Sequence, residues 1–385
     1  MRGRRWLWFG GVMALAVTSA SLVGRGQARP PAHPLVLRWA RPIPRVVGLA
    51  LSPEGTRLAA ITEDRDVILL DQNGETDGRE RVAGATHAVV APRGRLVAVY
   101  AARRPLYAAV VLLDRLGRRL GEIDTAASVH AVAVADDGRQ VAIGVPEALL
   151  VASRQRGGWV TRRHRVHGMV TQVAFGPEGS LLVLTRRPEA IARLDAHGKL
   201  LWSLPLPPGS RATMVVPPGG ETLFVAHEPP TDPSGEIVVR ALSASGGALW
   251  EEVLPGRGAT LRVAADAAAL LIAYEHRLEH EARIVYEPRL RYVSLGSSRV
   301  FWEKGGGYTS ALPATVGAGG AWVATLDASR SLRPPQIRLF GTRGERRWTY
   351  RCVAPVAIAT SSRDGRTLAI YRTDSVIERI EVAGE

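Results

Sequence analysis

The chain has 385 residues and a formal charge of +14, from 50 Lys and Arg against 36 Asp and Glu, with 46% hydrophobic residues, 40 glycines and 25 prolines. That apolar fraction excludes a disordered chain, and a single cysteine, Cys352, excludes an intrachain disulfide or a CxxC metal site. The charge does not point to nucleic acid: Lys199 and Lys304 are the only lysines and Asn73 the only asparagine, which reads as GC-rich codon bias, and the arginines are interleaved with acids.

In chain order, "MRGRR" comes first and the uncharged run "WLWFGGVMALAVTSASLVG" (6–24) follows. Residues 1–24 therefore read as a signal peptide or an N-terminal membrane anchor. Trp6 and Trp8 sit where an interfacial belt would favour an anchor. The small-residue sites ending at Ala20 and Ala28 favour cleavage, and both readings stay open. "RGQARPPAHP" (25–34) reads as a Pro-rich spacer. Either way the rest of the chain is expected to be exported, to the periplasm or the cell surface.

Beyond residue 34 no sustained 3.6-residue apolar period occurs, so long helices are not expected. Instead one hairpin recurs eight times, from "GLALSPEGTRLAAIT" (48–62) through "QVAFGPEGSLLVLT" (172–185) to "AIATSSRDGRTLAIY" (357–371). Its turn ends at residues 55, 94, 138, 179, 220, 268, 320 and 365, in steps of 39 to 52 residues. Between hairpins runs an apolar strand, a Gly-bearing turn and a strand often marked by tryptophan, most fully in "IARLDAHGKLLW" (191–202). Trp159, Trp202, Trp250, Trp302 and Trp348 fall at one place in the repeat, where a large flat ring packs one unit on the next. The last repeat lacks its fourth strand, and "LVLRWARPI" (35–43) resembles the missing piece, with Trp39 matching Trp202. The expectation is an all-β fold over residues 35–385. It is a β-propeller of eight four-stranded blades closed by the N-terminal strand, or of seven if residues 259–310 merge with a neighbour.

With its period and its Asp-turn-Gly-Trp pattern, the stretch 35–385 resembles the PQQ-like and WD40-like bacterial β-propeller repeat proteins. The resemblance implies a propeller fold and a role like that of the propeller scaffolds in outer-membrane assembly machinery. A quinone-dependent dehydrogenase of that kind would need acids and an amide around a metal, and commonly a vicinal disulfide. One cysteine, and one asparagine in the turn "DQNG", leave little for such a site, so no cofactor is expected.

"HRLEH" (276–280) matches the pattern in which His276 and His280 bind zinc and Glu279 handles a proton. That chemistry needs a buried helix, and the surrounding sequence reads as a charged loop or an extended hairpin. "RRHRVHG" (162–168) reads as a solvated outer strand whose charges discourage edge pairing. No G-x-S-x-G elbow or phosphate-binding loop is present, so no catalytic or metal-ligating residue is assigned. The connections that vary in length are those between second and third strands, at 101–107, 227–235, 275–290 and 327–335. Elaboration on one face marks a binding surface, and Arg103, Arg104, Tyr107, His276, Arg330 and Arg333 are the candidate contacts. The expected function is that of a non-catalytic, monomeric binding platform in the cell envelope. Its partner would be an envelope protein or a cell-surface polymer, and the N-terminal segment would hold it to the membrane if uncleaved. The alternative is a propeller enzyme (a hydrolase, lyase or quinoprotein-like dehydrogenase) with its site at the central channel.

Overall fold

Strands, most of them four to eight residues long, account for the greater part of the residues described by the computed structural model. It describes residues 35–382 apart from 104–105, 107–108, 218, 231–234, 267, 281–282, 296–298, 306–314, 318–319 and 328–334. These residues belong to one unit, His33–Glu385. The candidate signal or anchor and the spacer lie outside the described residues. Among those described, no helix is long and apolar enough to cross a membrane.

The fold is all-β, with single turns of 3-10 helix at Pro92–Gly94 and Pro177–Gly179. Among the described residues 29 strands form six antiparallel sheets. Val46–Leu51, Leu58–Thr62, Asp66–Leu70 and Thr76–Arg81 make the first, and His87–Val90 to Arg119–Asp124 the second. A six-stranded and a seven-stranded sheet follow, over Ala131–Val134 to Leu200–Pro205 and Arg211–Val215 to Val300–Gly305. Thr315–Val316 to Arg346–Arg351 form a further four-stranded sheet. In the last one Leu35–Pro42 pairs with Val376–Val382, so the first and last described strands share a sheet.

The larger sheets contain strands that serve two neighbours. In Gln140–Gln155 the Arg154 N–H donates to the Arg139 carbonyl at 2.8 Å, so the strand doubles back, at left-handed Glu147 (φ 57°). In Ala248–Val263, residues up to Pro255 pair with Glu236–Ser243 and those from Gly256 pair with Ala269–His280.

The core lies between sheets. All of Leu58–Thr62 is buried, because period-two alternation sends Ala59 and Ile61 toward the second sheet and Leu58 and Ala60 toward the closing sheet. Tyr371 and Ile377 of the closing sheet thus share a cluster with Val46 and Leu70 of the first, and the packing runs in a ring.

Outer strands are locked by a ring-on-glycine contact. Trp202 lies where a Cβ on Gly246 of the next sheet would stand (φ 85°), and its Nε1 donates to the Ala244 carbonyl at 2.9 Å. Trp39 lies likewise over Gly74 (φ 83°) and donates to the Gln72 carbonyl at 3.0 Å, and Trp302 covers Gly344. Register places Trp39, Trp202, Trp250, Trp302 and Trp348 at one position, just past a β-bulge. Glycines take that position in the first two sheets, at Gly78 and Gly121. Trp159, grouped with the others by sequence, stands elsewhere: it comes from the next strand pair and fills the space over Gly121. The place over Gly198 in "LDAHGKLLW" is taken by the His164 ring. Ring and glycine are exchanged across the interface, and the shape is kept. Each such ring removes on the order of 150 Å² from water, worth several kcal/mol.

Candidate binding site at the channel mouth

The short turns inside the repeated hairpins share one geometry. Ser52 N–H donates to the Arg57 carbonyl and Gly55 N–H to the Ser52 carbonyl, both at 2.8 Å, and the pattern recurs at Ala91, Ala135, Gly317 and Ser362. Two residues between these bonds are held out from the sheet, and in four turns they are Pro53-Glu54, Pro92-Arg93, Asp136-Asp137 and Arg363-Asp364. Glu54, Arg93, Arg95, Asp136, Arg363 and Asp364, from four separate hairpins, line one cavity of about 540 Å³.

Arg363 reaches across it, its Nη1 and Nη2 donating to the two carboxylate oxygens of Asp136 at 3.2 and 3.1 Å. These residues are 227 positions apart in sequence. Arg363 is further fixed by its N–H, which donates to the Pro53 carbonyl at 2.8 Å. Glu54 accepts the Arg93 N–H at 3.0 Å, while the Arg93 and Arg95 side chains form no ion pair among the described residues. The Arg363 and Asp136 side chains are 42% and 66% exposed, so their bridge adds little stability. An incoming carboxylate would meet a guanidinium fork already aimed at one.

Asp136 and Arg363 also stand at the lip of a second cavity of about 600 Å³. Its wall mixes apolar side chains, Val89, Val132, Val134, Val173, Phe175 and Val216, with the polar Asp137 and Gln140. The arrangement is a charged rim over a cavity of mixed polar and apolar lining. It suits a ligand with an anionic group beside an apolar one, the usual mix of a binding pocket. Among the described residues no group of three or more His, Cys, Asp or Glu is placed to hold a metal.

Of the sequence-derived contacts, the described Arg103 and His276 lie away from this rim. Arg103 (φ 57°) is exposed, and its N–H donates to the Val129 carbonyl at 2.8 Å beside His130. His276 belongs to a different sheet, in a hairpin paired without a break from Ala269↔Ser294 to His280↔Arg283, and meets Tyr274 edge-on at 6.0 Å. In a strand His276 and His280 stand roughly 13 Å apart, so the HRLEH motif cannot close on one metal ion. Arg104, Tyr107, Arg330 and Arg333 lie outside the described residues. The rim residues escaped the sequence reading because their turns are constant in length. Their signal is opposed charge at the centre of one turn: "PEG", "PRG", "DDG", "RDG".

Burial holds five histidines below their ordinary value of 6.5. Arg103 adds to the effect at His87 and His130, Arg162 at His164, Arg240 at His227 and Arg289 at His276. His227 is 2% exposed, with no hydrogen-bond partner for either ring nitrogen among the described residues. Above pH 6.5 these groups are neutral folded or unfolded. As the pH falls through 6.5 only the unfolded chain takes up the protons, so stability falls with it. Urea midpoints should therefore drop between about pH 7.5 and about pH 5.5; a rise would contradict this assignment.

Sheets packed in sequence, with the last set against the first, define a β-propeller, and its likeness is to WD40 propellers. The Dos1 propeller is similar with a TM-score of 0.68 at 9% identity, covering 91% of this chain and 96% of that one. The C-terminal WD40 domain of Sif2 gives 0.66 at 10%, covering 91% and 99%. Saccharomyces cerevisiae Sqt1 gives 0.66 at 10%, covering 90% and 98%. At such identities the likeness carries the fold alone. It supports the WD40-like part of the sequence resemblance, whereas the PQQ-like part rests on the repeat pattern. No protein-family model and no curated protein matches the sequence.

Proposed function

We propose that this protein is a non-catalytic binding platform of the cell envelope, an eight-bladed propeller that holds a partner protein at the charged rim of its channel. The observation that carries the reading is the Arg363–Asp136 bridge over a cavity that offers apolar side chains such as Val132, Val173 and Phe175, with Arg93 and Arg95 beside it. A partner segment bearing an acidic side chain next to an apolar one would exchange its carboxylate for Asp136 and seat its apolar group below. Scaffold use also accords with the WD40-like fold, since propellers present a rigid ring of turns to a partner. Eight blades are supported by eight apolar clusters, each joining two successive groups of strands. Export rests on the arginines and uncharged run of residues 1–24.

The test is crosslinking and pull-down from native envelope fractions with the tagged full chain. The wild type should recover one protein, and a variant with Arg93, Arg95 and Arg363 all changed to Glu should recover at least about tenfold less, as expected when several charge contacts are reversed. Recovery of no specific partner, together with a metal or cofactor bound to the purified protein, would turn the assignment to an enzyme of the channel.

A further inference from the structure

Between Glu147 and Glu178 the sequence contains Arg154, Arg156, Arg162, Arg163, Arg165, His164 and His167, and no acidic residue. Most of this stretch is one hairpin, paired from Ala148↔Arg165 to Gln155↔Gly158. Over its first half the strand Gly158–Phe175 has a hydrogen-bonded strand on one side only. All five arginines are exposed, and none forms an ion pair among the described residues. Many other arginines are matched, Arg79 with Asp66 and Arg119 with Glu80 and Glu122 on outer strands, Arg240 with Glu251 and Arg291 with Glu252 and Glu303 on the strands beside them. The outer strand Arg346–Arg351 also carries exposed arginines outside any ion pair among the described residues, Arg346 and Arg351, but Glu345 beside it pairs with Arg347.

Protecting a sheet edge does not account for this. Charges of either sign discourage pairing, and the outer strands Thr76–Arg81 and Arg119–Asp124 carry both. A single-signed row calls for a ligand of the opposite sign.

The row is linear and one strand wide. Gly158 to His167 spans roughly 30 Å, with residues two apart spaced about 6.6 Å on one face. Arg163 and Arg165 share a face. Past Gly168 the row continues through exposed Arg186, paired with Met169, and Arg187. A nucleic-acid strand would need rings free to stack on its bases, and here Trp159 is laid against Gly121 and His164 against Gly198, leaving the exposed His167. An anionic bilayer would need a broad apolar face, and Val160 is the only large apolar side chain exposed in this hairpin.

We propose that this outer strand binds a linear anionic polysaccharide, with guanidinium groups gripping successive carboxylates, on a surface separate from the channel rim. The test measures binding of the full-length protein to polygalacturonate. Three arms accompany it: a single-stranded oligonucleotide, phosphatidylglycerol vesicles, and a control variant, R118A/R119A, that removes paired arginines. Binding of the polysaccharide is expected to weaken at least about tenfold in R162A/R163A/R165A, with the salt dependence of log affinity shallower by about two. R118A/R119A should leave it unchanged. Three results would overturn the proposal: undiminished binding by the triple variant, an equal loss in R118A/R119A, or tighter binding to the oligonucleotide or the vesicles than to the polysaccharide. Circular dichroism of the triple variant, expected to match wild type because the three side chains are exposed, keeps loss of fold separate from loss of binding.

Discussion

A chain lacking residues 35–43 is expected to show no cooperative unfolding transition. The strand Leu35–Pro42 is the fourth strand of the sheet that holds the last three, in a register running from Leu35↔Val382 to Pro42↔Val376. Its removal would bare one edge of Val376–Val382, where Ile377 and Ile380 are fully buried and Val382 is 5% exposed. It would also remove Trp39 from Gly74 and the Arg38–Glu381 ion pair at 2.5 Å. The loss falls where the last sheet packs on the first, so the ring opens, and an open edge of that length invites association between copies. Denaturation followed by circular dichroism decides the matter. A soluble truncated protein with a sharp two-state transition would defeat the closure argument. Trp39→Ala is a milder cut at the same seam, expected to cost about 2 kcal/mol or more.

The second large effect is expected at Glu378. Its side chain is 2% exposed, accepts the Tyr350 hydroxyl at 3.0 Å and is ion-paired with Arg372, itself only 8% exposed. Glu378→Ala leaves a buried guanidinium and a buried hydroxyl without their acceptor, a change that typically costs about 3–5 kcal/mol. Asp374, ion-paired with the same guanidinium from a more exposed position, moves the expectation to the lower end, about 3 kcal/mol. Glu378→Gln keeps an acceptor and should cost less. The measurement is the urea midpoint at unchanged slope; a loss below about 1 kcal/mol would mean that water relieves the site. Because Glu378 pairs in register with Ala40, its effect should not add independently to that of cutting the closing strand.

How far the fold can be read from the sequence depends on the range of the signal. The hairpins repeat a local pattern, apolar alternation around a turn ending in glycine, and each turn forms within six residues, as at Ser52–Arg57. Closure was legible because "LVLRWARPI" imitates a strand whose place in the last repeat is empty. Relations across an interface carry no such trace. Nothing near Gly198 in the sequence announces His164, and nothing near Trp159 announces Gly121. The long strands were hidden for a related reason: extended pairing resumes directly after Glu147, and at Gly256 passes straight to a new partner, where the local pattern marks a break. The rim was the least legible part. Its members come from separate repeats, and length variation drew the reading to other loops, whose candidates Arg104, Tyr107, Arg330 and Arg333 lie outside the described residues.

The sheet shared by the first and last strands of the propeller has a consequence for timing. The segment Leu35–Pro42 leaves the ribosome before any other described strand of the propeller, and its partner, Val376–Val382, after all of them. Chains fold from the N-terminus as they are synthesised, but here the first strand stays unengaged until the rest of the propeller has been made. Every other sheet joins strands close in sequence and forms at small loop-closure cost; this one closes a loop of the whole domain and is the slow, non-local step. A chain halted short of residue 376 would keep its opening strand unmated, a free end by which quality control could tell an unfinished ring from a finished one.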